Sequence, residues 1–302
     1  MPKRNPGEVL IKVQASSVNP LDYKVRSGTH FPKFLVSRPQ TPGGDVAGIV
    51  EDADESSKFL KGQKVFALTD GRLFWRKEGC YAEYVSAKES YLAHQPAALS
   101  FEEAGGVPLA ALTAYQSLEA AGVKQGQRVL IHAGAGGVGH FAVQLAKARG
   151  AHVITTAGPR NVDFVQQELG ADEAIDYTSS RFEEVLKSHP VDVVIDPMAG
   201  DYEGRSISIL KHPGHYQQIM NENLSVPRVL SRFVKGALRW GPSYGVTIVK
   251  PNGAQLQKVA DLISEGKVKV NVDKTFPLKD AAAAHEYLEK GHARGKVILK
   301  VQ

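Results

Sequence analysis

Hydrophobic and polar positions along this chain change rhythm near residue 100. Before it, apolar residues alternate with polar ones in short runs over 8–15, 48–52, 64–68, 81–85 and 91–94, the period of strands with one covered face. Gly43-Gly44 and the prolines at 20, 32, 39 and 42 separate these runs as turns. From Glu102 onward helical periods alternate with apolar runs. Helices are predicted over 101–109, 111–121, 138–149, 161–169 and 182–188, and Gly122, Gly150 and Gly170 stop three of them. Strands are predicted at 128–133, 152–156, 174–176, 191–196, 215–220 and 246–250. Such alternation means βαβ units and a parallel sheet buried on both faces. The last 50 residues add helices over 254–265 and 281–290 and strands over 268–272 and 296–301.

A chain of 302 residues exceeds one average domain. The pattern divides it into a barrel-like catalytic domain, residues 1–111 with 251–302, around a second domain, residues 112–250. No apolar run approaches the roughly 18 residues of a membrane span. The first residues lack the apolar core and cleavage site of a secretory signal. Cys80 is the only cysteine, which excludes an intrachain disulfide and favours the interior of a cell. The cytoplasm is the expected setting, with an organelle the alternative. A net charge of +5 is a mild excess that a solvated surface accounts for, and no nucleic-acid partner is expected.

The strongest chemical signal is the apolar run 128–133 followed by Gly134-Ala135-Gly136-Gly137-Val138-Gly139. The glycines at 134, 136 and 139 satisfy G-x-G-x-x-G between a strand and an amphipathic helix, the context a dinucleotide loop requires. Gly134 permits the tight turn, Gly136 lets backbone approach a pyrophosphate, and Gly139 packs the helix on the strand. The first amides of that helix are unpaired donors at its positive end, suited to phosphate. The fold class is therefore α/β, with a Rossmann doubly wound parallel sheet.

The end of the next strand selects the cofactor. An NAD site usually presents an acid there, about 20 residues after the first glycine, to hold the ribose 2′-hydroxyl. This chain has Thr156, Gly158, Arg160 and Asn161, and no Asp or Glu between Gly139 and Asp163. A cation without a carboxylate favours a 2′-phosphate, so NADPH is the expected cofactor.

Several further motifs carry a resemblance along nearly the whole chain. They are Ala15-Ser-Ser-Val-Asn19-Pro20-Leu-Asp22-Tyr23-Lys24, Pro42-Gly43-Gly44-Asp45, Gly79-Cys-Tyr81-Ala-Glu83-Tyr84, Leu112-Thr113-Ala114-Tyr115, Leu169-Gly-Ala-Asp172 and His292-Ala-Arg-Gly295-Lys296. With the glycine loop, their order resembles the zinc-free, quinone-oxidoreductase-like medium-chain dehydrogenase/reductases. The resemblance implies a GroES-like β-barrel catalytic domain beside the Rossmann domain, with the active site in the cleft between them. It implies that Asn19 sits near nicotinamide and substrate carbonyl, with Asp22 and Lys24 beside it, and that Thr113 faces the nicotinamide. Arg160 and Tyr177 should line the adenosine-phosphate side, and Lys296 should reach the cleft from the tail.

Two departures from relatives matter. Zinc-dependent members need thiolate and imidazole ligands. Here there is one cysteine, Gly44-Asp45 stands where they carry a His-Glu pair, and the histidines show no ligand spacing, so no metal is expected. The chain also begins at Pro-Gly-Glu-Val-Leu, where relatives have another strand or two. That leaves the barrel edge to solvent or to a partner chain, a second copy included.

The implied chemistry is NADPH-dependent hydride transfer to an activated enone or a quinone, with donors rather than zinc meeting the developing oxygen charge. Lys24, the Asn19 amide and cofactor hydroxyls are the candidate donors. Two rivals arise from the sequence. Gly241-Pro-Ser243-Tyr-Gly245 matches the hydrolase pattern G-x-S-x-G, which works only on a strand-to-helix elbow, and here a strand follows. Arg228, Arg232, Lys235 and Arg239 recur at helical spacing, with Leu230, Phe233 and Val234 elsewhere on the helix. The plain expectation is a surface helix packing its apolar side on the sheet. The rival is a membrane-surface scaffold that keeps NADPH as a structural ligand.

Overall fold

Strand β1 (Glu8–Val18) is buried almost throughout and carries three neighbours. The computed structural model describes residues 1–28, 41–70, 79–219, 226–238 and 240–302. They fall into two units, Met1–Leu112 with Lys250–Gln302, and Thr113–Val249.

In the first unit β1 leads into helix α1 (Pro20–Ser27), then β2 (Asp45–Asp52), β3 (Lys64–Leu68), β4 (Tyr84–Lys88), β5 (Leu92–His94) and α2 (Phe101–Gly105). Helix α3 (Pro108–Ala120) runs through the boundary between the units. The tail returns as α8 (Gly253–Ser264), β12 (Val272–Pro277), α9 (Ala281–Glu289) and β13 (Lys296–Lys300), numbered after the helices and strands of the second unit. The sheet order is β12-β13-β1-β2-β3-β5, with β4 also on β1. Val9, Ile11, Val13, Val46, Val50, Phe59, Val65 and Leu92 form its core. Pairing of Val18 with Val297 and of Ser17 with Ile298 builds the tail into the first strand.

The sequence pattern missed α1. Asn19 is its N-cap, Pro20 lies in the first turn, Asp22 reaches back to the Asn19 amide, and Gly28 closes it at φ 79°. Those are capping signals, set where apolar periodicity is absent. The strand expected at 268–272 forms instead from Val272. Lys296 donates its backbone N–H to the Asn271 carbonyl, and pairing with β13 begins there.

The second unit carries β6 (Arg128–Ile131), α4 (Gly139–Ala148), β7 (His152–Ala157), β8 (Glu173–Asp176), α5 (Phe182–Leu186), β9 (Val191–Asp196), α6 (Asp201–Ile207), β10 (Leu210–Ile219), α7 (Val226–Ala237) and β11 (Ser243–Thr247). All five pairings are parallel, in the order β11-β10-β9-β6-β7-β8. The order reverses between β6 and β9, the switch point at which doubly wound sheets bind ligands beyond the strand ends. The helix expected over 161–169 is a 3₁₀ turn at Pro159–Asn161 and a π-helical turn at Phe164–Glu168. There Leu169 N–H bonds five residues back to Phe164, and both Phe164 and Val165 are buried. Helix α6 was unseen because it buries Glu203 and Ser206, which gives it no apolar period.

Helix α7 buries only part of its apolar side. Val229 packs on the core, Phe233 meets Tyr244 edge to face, and Arg232 pairs with the buried Glu203 at 3.2 Å. Leu230, Val234 and Leu238 face outward, as does Trp240 beyond them. Arg239 and the side chains of Arg228 and Lys235 lie outside the described residues.

Candidate active site

The glycine loop follows β6. Ala133 takes φ 54°, its N–H bonds Thr156 Oγ1 at 3.1 Å, and the Gly134 N–H bonds the Thr156 carbonyl at 3.0 Å. A Cβ on Gly134 would lie 2.0 Å from Thr155 Oγ1, and one on Gly139 would lie 2.0 Å from the Ala133 carbonyl. Both positions admit only glycine. A Cβ on Gly136 would meet one atom, the Ala133 carbonyl at 3.3 Å, so its outer face is open. The first turn of α4 begins at Gly139, after Gly137 and Val138; its His140 N–H donates to the Gly136 carbonyl at 3.0 Å, and the turn stands at the positive end of the helix. Two closed glycines, one open one and a helix start make a cradle that fits a dinucleotide pyrophosphate.

Beneath the loop lies His132, fully buried. Its ring nitrogens bond Thr156 Oγ1 at 3.2 Å and Ser206 Oγ at 2.9 Å, and its ring meets Phe182 and Tyr202, stacked on each other, edge-on. Burial pushes its pKa down to about 4, so it is neutral. The Thr156 hydroxyl is thereby committed to holding the loop from below. Across the switch point, Asp196 accepts from the amides of Met198 (2.7 Å) and Ala199 (3.0 Å) and from the Tyr216 hydroxyl (2.6 Å).

At the end of β7, Gly158 precedes the turn that carries Arg160 and Asn161. Arg160 is exposed, Tyr177 is 54% exposed, and a Cβ on Gly158 would lie 3.1 Å from the Tyr177 hydroxyl. Asp176, the carboxylate ending β8, is turned onto Thr178, accepting from its amide at 2.9 Å and its hydroxyl at 2.8 Å.

A second polar cluster is buried in the first unit. Asp45 on β2, fully buried, accepts from Ser17 Oγ (2.6 Å), Asn19 Nδ2 (2.8 Å) and the Leu109 amide (2.7 Å). Lys296 on β13 lies 3.8 Å from the Asp45 carboxylate and donates to Asn19 Oδ1 at 2.5 Å. The Asn19 amide is thus fixed at both ends, its nitrogen toward a carboxylate and its oxygen toward an ammonium. Burial lowers the Lys296 pKa, with Asp45 and Asp22 opposing it. Asp22 accepts from the Asn19 backbone N–H at 2.8 Å and from the Tyr81 hydroxyl at 3.2 Å. Burial pushes its carboxyl up to about 7, which the Asn19 bond opposes and Asp45 assists. Burial also pushes the Cys80 thiol up to about 12, and its sulfur sits 3.4 Å from Thr69 Oγ1.

The structure therefore brings Asn19, Asp22 and Lys296 together, with Lys24 half-buried two residues along α1. Thr113 is buried in α3, its carbonyl accepting from Ser117 Oγ. Sequence reasoning did not single out Asp45, Ser17 or Tyr81 for this cluster, nor His285, whose Nε2 lies 3.2 Å from the Tyr81 hydroxyl. A carboxylate inside the apolar run Asp45–Asp52 was the available signal for the first of these. Ser243 opens β11 rather than an elbow, and its hydroxyl clips to His215 Nδ1 at 2.7 Å on β10. Among the described residues no group of three or more His, Cys, Asp or Glu is placed to hold a metal ion.

Residues 5–97 match the model of the alcohol dehydrogenase GroES-like domain, and residues 169–299 that of the zinc-binding dehydrogenases. A quinone oxidoreductase structure from Coxiella burnetii superposes with a TM-score of 0.88 at 38% identity, covering 100% of this chain and 92% of that one. The human mitochondrial NAD(P)H oxidoreductase RTN4IP1 is 32% identical over 98% of this chain and 82% of its own length. The tomato (Solanum lycopersicum) 2-methylene-furan-3-one reductase is 35% identical over 97% of this chain and 71% of its own. With a glycine loop at the switch point of a parallel sheet, a GroES-like unit and these relatives, the chain belongs to the quinone-oxidoreductase-like medium-chain dehydrogenase/reductase family.

Proposed function

We propose that this chain reduces enones, enals or quinones with NADPH and without zinc. The observation that carries the reading is the Asn19 amide held between Lys296 and Asp45, a buried donor set where a metal would otherwise stabilise oxygen charge. The donor chemistry does not fit zinc. The single thiol is pushed up to about 12, and the Asp45 carboxylate is engaged by three donors. The glycine cradle and the Gly158–Asn161 turn would hold the cofactor, whose reduced nicotinamide supplies a hydride when bound. Gly134 and Gly139 shape the cradle, and Gly136, Gly137 and Val138 present backbone to the pyrophosphate. Arg160 offers a cation to a 2′-phosphate, Asn161 and Tyr177 border it, and Thr156 supports the loop. Asn19 Nδ2 and Lys296 Nζ are the donors for an oxygen on which charge develops, and a buried setting strengthens them.

A second reading draws on the outward strip Leu230, Val234, Leu238 and Trp240, which suits docking on a membrane surface with little turnover. The mitochondrial relative makes an organelle the proposed alternative setting to the cytoplasm. A panel of enones and quinones with NADPH, run with and without chelator and zinc, tests the first reading. Acceptor loss equal to NADPH oxidised and indifferent to chelator is expected. Activity lost to chelator and restored by zinc overturns the zinc-free part. Silence across the panel, with the protein pelleting on anionic vesicles, favours the second reading.

A further inference from the structure

Behind Asp22 a chain of hydrogen bonds runs outward through α9. The Tyr81 hydroxyl lies 3.2 Å from Asp22 Oδ2 and 3.2 Å from His285 Nε2, and His285 Nδ1 lies 3.3 Å from an Arg26 guanidinium nitrogen. Arg26, half-exposed, also pairs with Glu289. The direction of each proton follows from donor chemistry. A guanidinium only donates, so His285 Nδ1 accepts, and a neutral imidazole then carries its proton on Nε2. That proton points at the Tyr81 oxygen, which leaves the Tyr81 proton for Asp22. The Ser17 carbonyl, at 3.5 Å, is the weaker acceptor. Every donor in the chain therefore points inward. His285 is nearly inaccessible, and burial together with Arg26 lowers its pKa, which keeps it neutral.

We propose that His285, Tyr81 and Asp22 form a proton relay from the Arg26–Glu289 surface to the Asn19 end of the buried cluster. The inference rests on the reduction proposed above. An activated alkene that has gained a hydride at one carbon carries an extra electron pair as an enolate and needs one proton to become neutral. Asp22 in its acid form gives that proton and becomes a carboxylate. In one concerted shift His285 takes a proton at Nδ1 from solvent as Arg26 turns fully to Glu289, its Nε2 proton passes to Tyr81, and the Tyr81 proton passes to the carboxylate. The imidazole is thus never left as an anion, and exchange of its ring protons with solvent restores the Nε2 tautomer before the next turnover. Asp22 titrates near neutrality, so both of its forms are accessible. The charged groups facing it are Asp45 and Lys296, with Tyr81 as hydroxyl partner; those facing His285 are Arg26 and Glu289. Tyr81 and His285 act through Asp22 as positioning and relay groups.

Two variants separate conduction from mere support. Tyr81→Phe breaks the chain. His285→Gln keeps one donor and one acceptor, and hence the packing, but cannot pass a proton. Both should lower enone turnover at least about tenfold, with a larger solvent deuterium effect, while NADPH affinity holds. A readout without cofactor or substrate is the infrared carboxyl band of the protein alone. A band titrating near pH 7 should vanish in Asp22→Asn and move to higher pH in Tyr81→Phe, which removes a donor to the carboxylate. Unchanged turnover and pH profile in both variants overturn the relay alone. Absence of NADPH oxidation in the unaltered protein across all acceptors overturns the parent reading and the relay with it. A carboxyl band that titrates near pH 4 overturns the relay even if reduction stands.

Discussion

Lys296 Nζ meets the Asn19 amide oxygen at 2.5 Å although 277 positions separate the two residues. The contact is a product of strand register. Val18, one residue before Asn19, pairs with Val297, one residue after Lys296, on adjacent strands of one sheet. Asp45, from the neighbouring strand β2, completes the group. Three segments far apart in sequence thus place an amide, an ammonium and a carboxylate around one point.

Lys296→Met should be severely destabilising, because it leaves the Asp45 carboxylate buried without its cation. Breaking a buried pair by removing one partner costs about 3–5 kcal/mol. Adding Asp45→Asn should recover part of that stability but none of the lost turnover. Urea unfolding and steady-state rates on the single and double variants check this; full recovery of rate would remove Lys296 from the chemistry.

Asn19→Ala should depress turnover with enones while leaving NADPH affinity nearly unchanged, since the partners of its side chain are Asp45 and Lys296 rather than the glycine loop. Cofactor titration by fluorescence beside kcat makes the comparison. Equal turnover would reduce Asn19 to the N-cap of α1.

Arg160→Ala should weaken NADPH by roughly tenfold to a hundredfold, since a charge-assisted bond contributes about 1.5–3 kcal/mol and each 1.4 kcal/mol is about tenfold. NADH, without a 2′-phosphate, should bind both proteins alike at fixed salt. Tight NADH binding by the unaltered protein would reverse the cofactor assignment.

Stability should fall on acidification between pH 6.5 and pH 4 through His132. Its folded pKa of about 4 lies below the ordinary 6.5, so in this window the unfolded chain takes up a proton that the folded chain refuses. The contribution is fully present above pH 6.5 and amounts to about 3 kcal/mol lost by pH 4. His132→Asn should flatten the pH dependence of the unfolding free energy over this range, whatever it does to stability at pH 7.

The glycine loop was legible in the sequence because its constraint is local. Gly134 and Gly139 exclude a Cβ through atoms within the loop and the next strand, and that requirement writes itself into spacing. Asp45 and His285 are different. Beyond the place of Asp45 at the head of an apolar run, nothing local marks either as buried, and their partners come from strands and helices far away in the chain. Helix α7 shows the same limit from the other side. Its amphipathic period was plain, yet only Val229 and Phe233 pack inward, Arg232 pairs with the buried Glu203, and Leu230, Val234 and Leu238 face out.

The placement of Cys80 has a bearing on the chain's own survival. Enones and quinones alkylate thiolates, and a thiol pushed up to about 12 holds almost none of that form near neutrality. The sulfur is also sealed from solvent against Thr69. Under the proposed reduction of soft electrophiles, the one thiol of the chain thus stays out of their reach and the catalyst is spared alkylation.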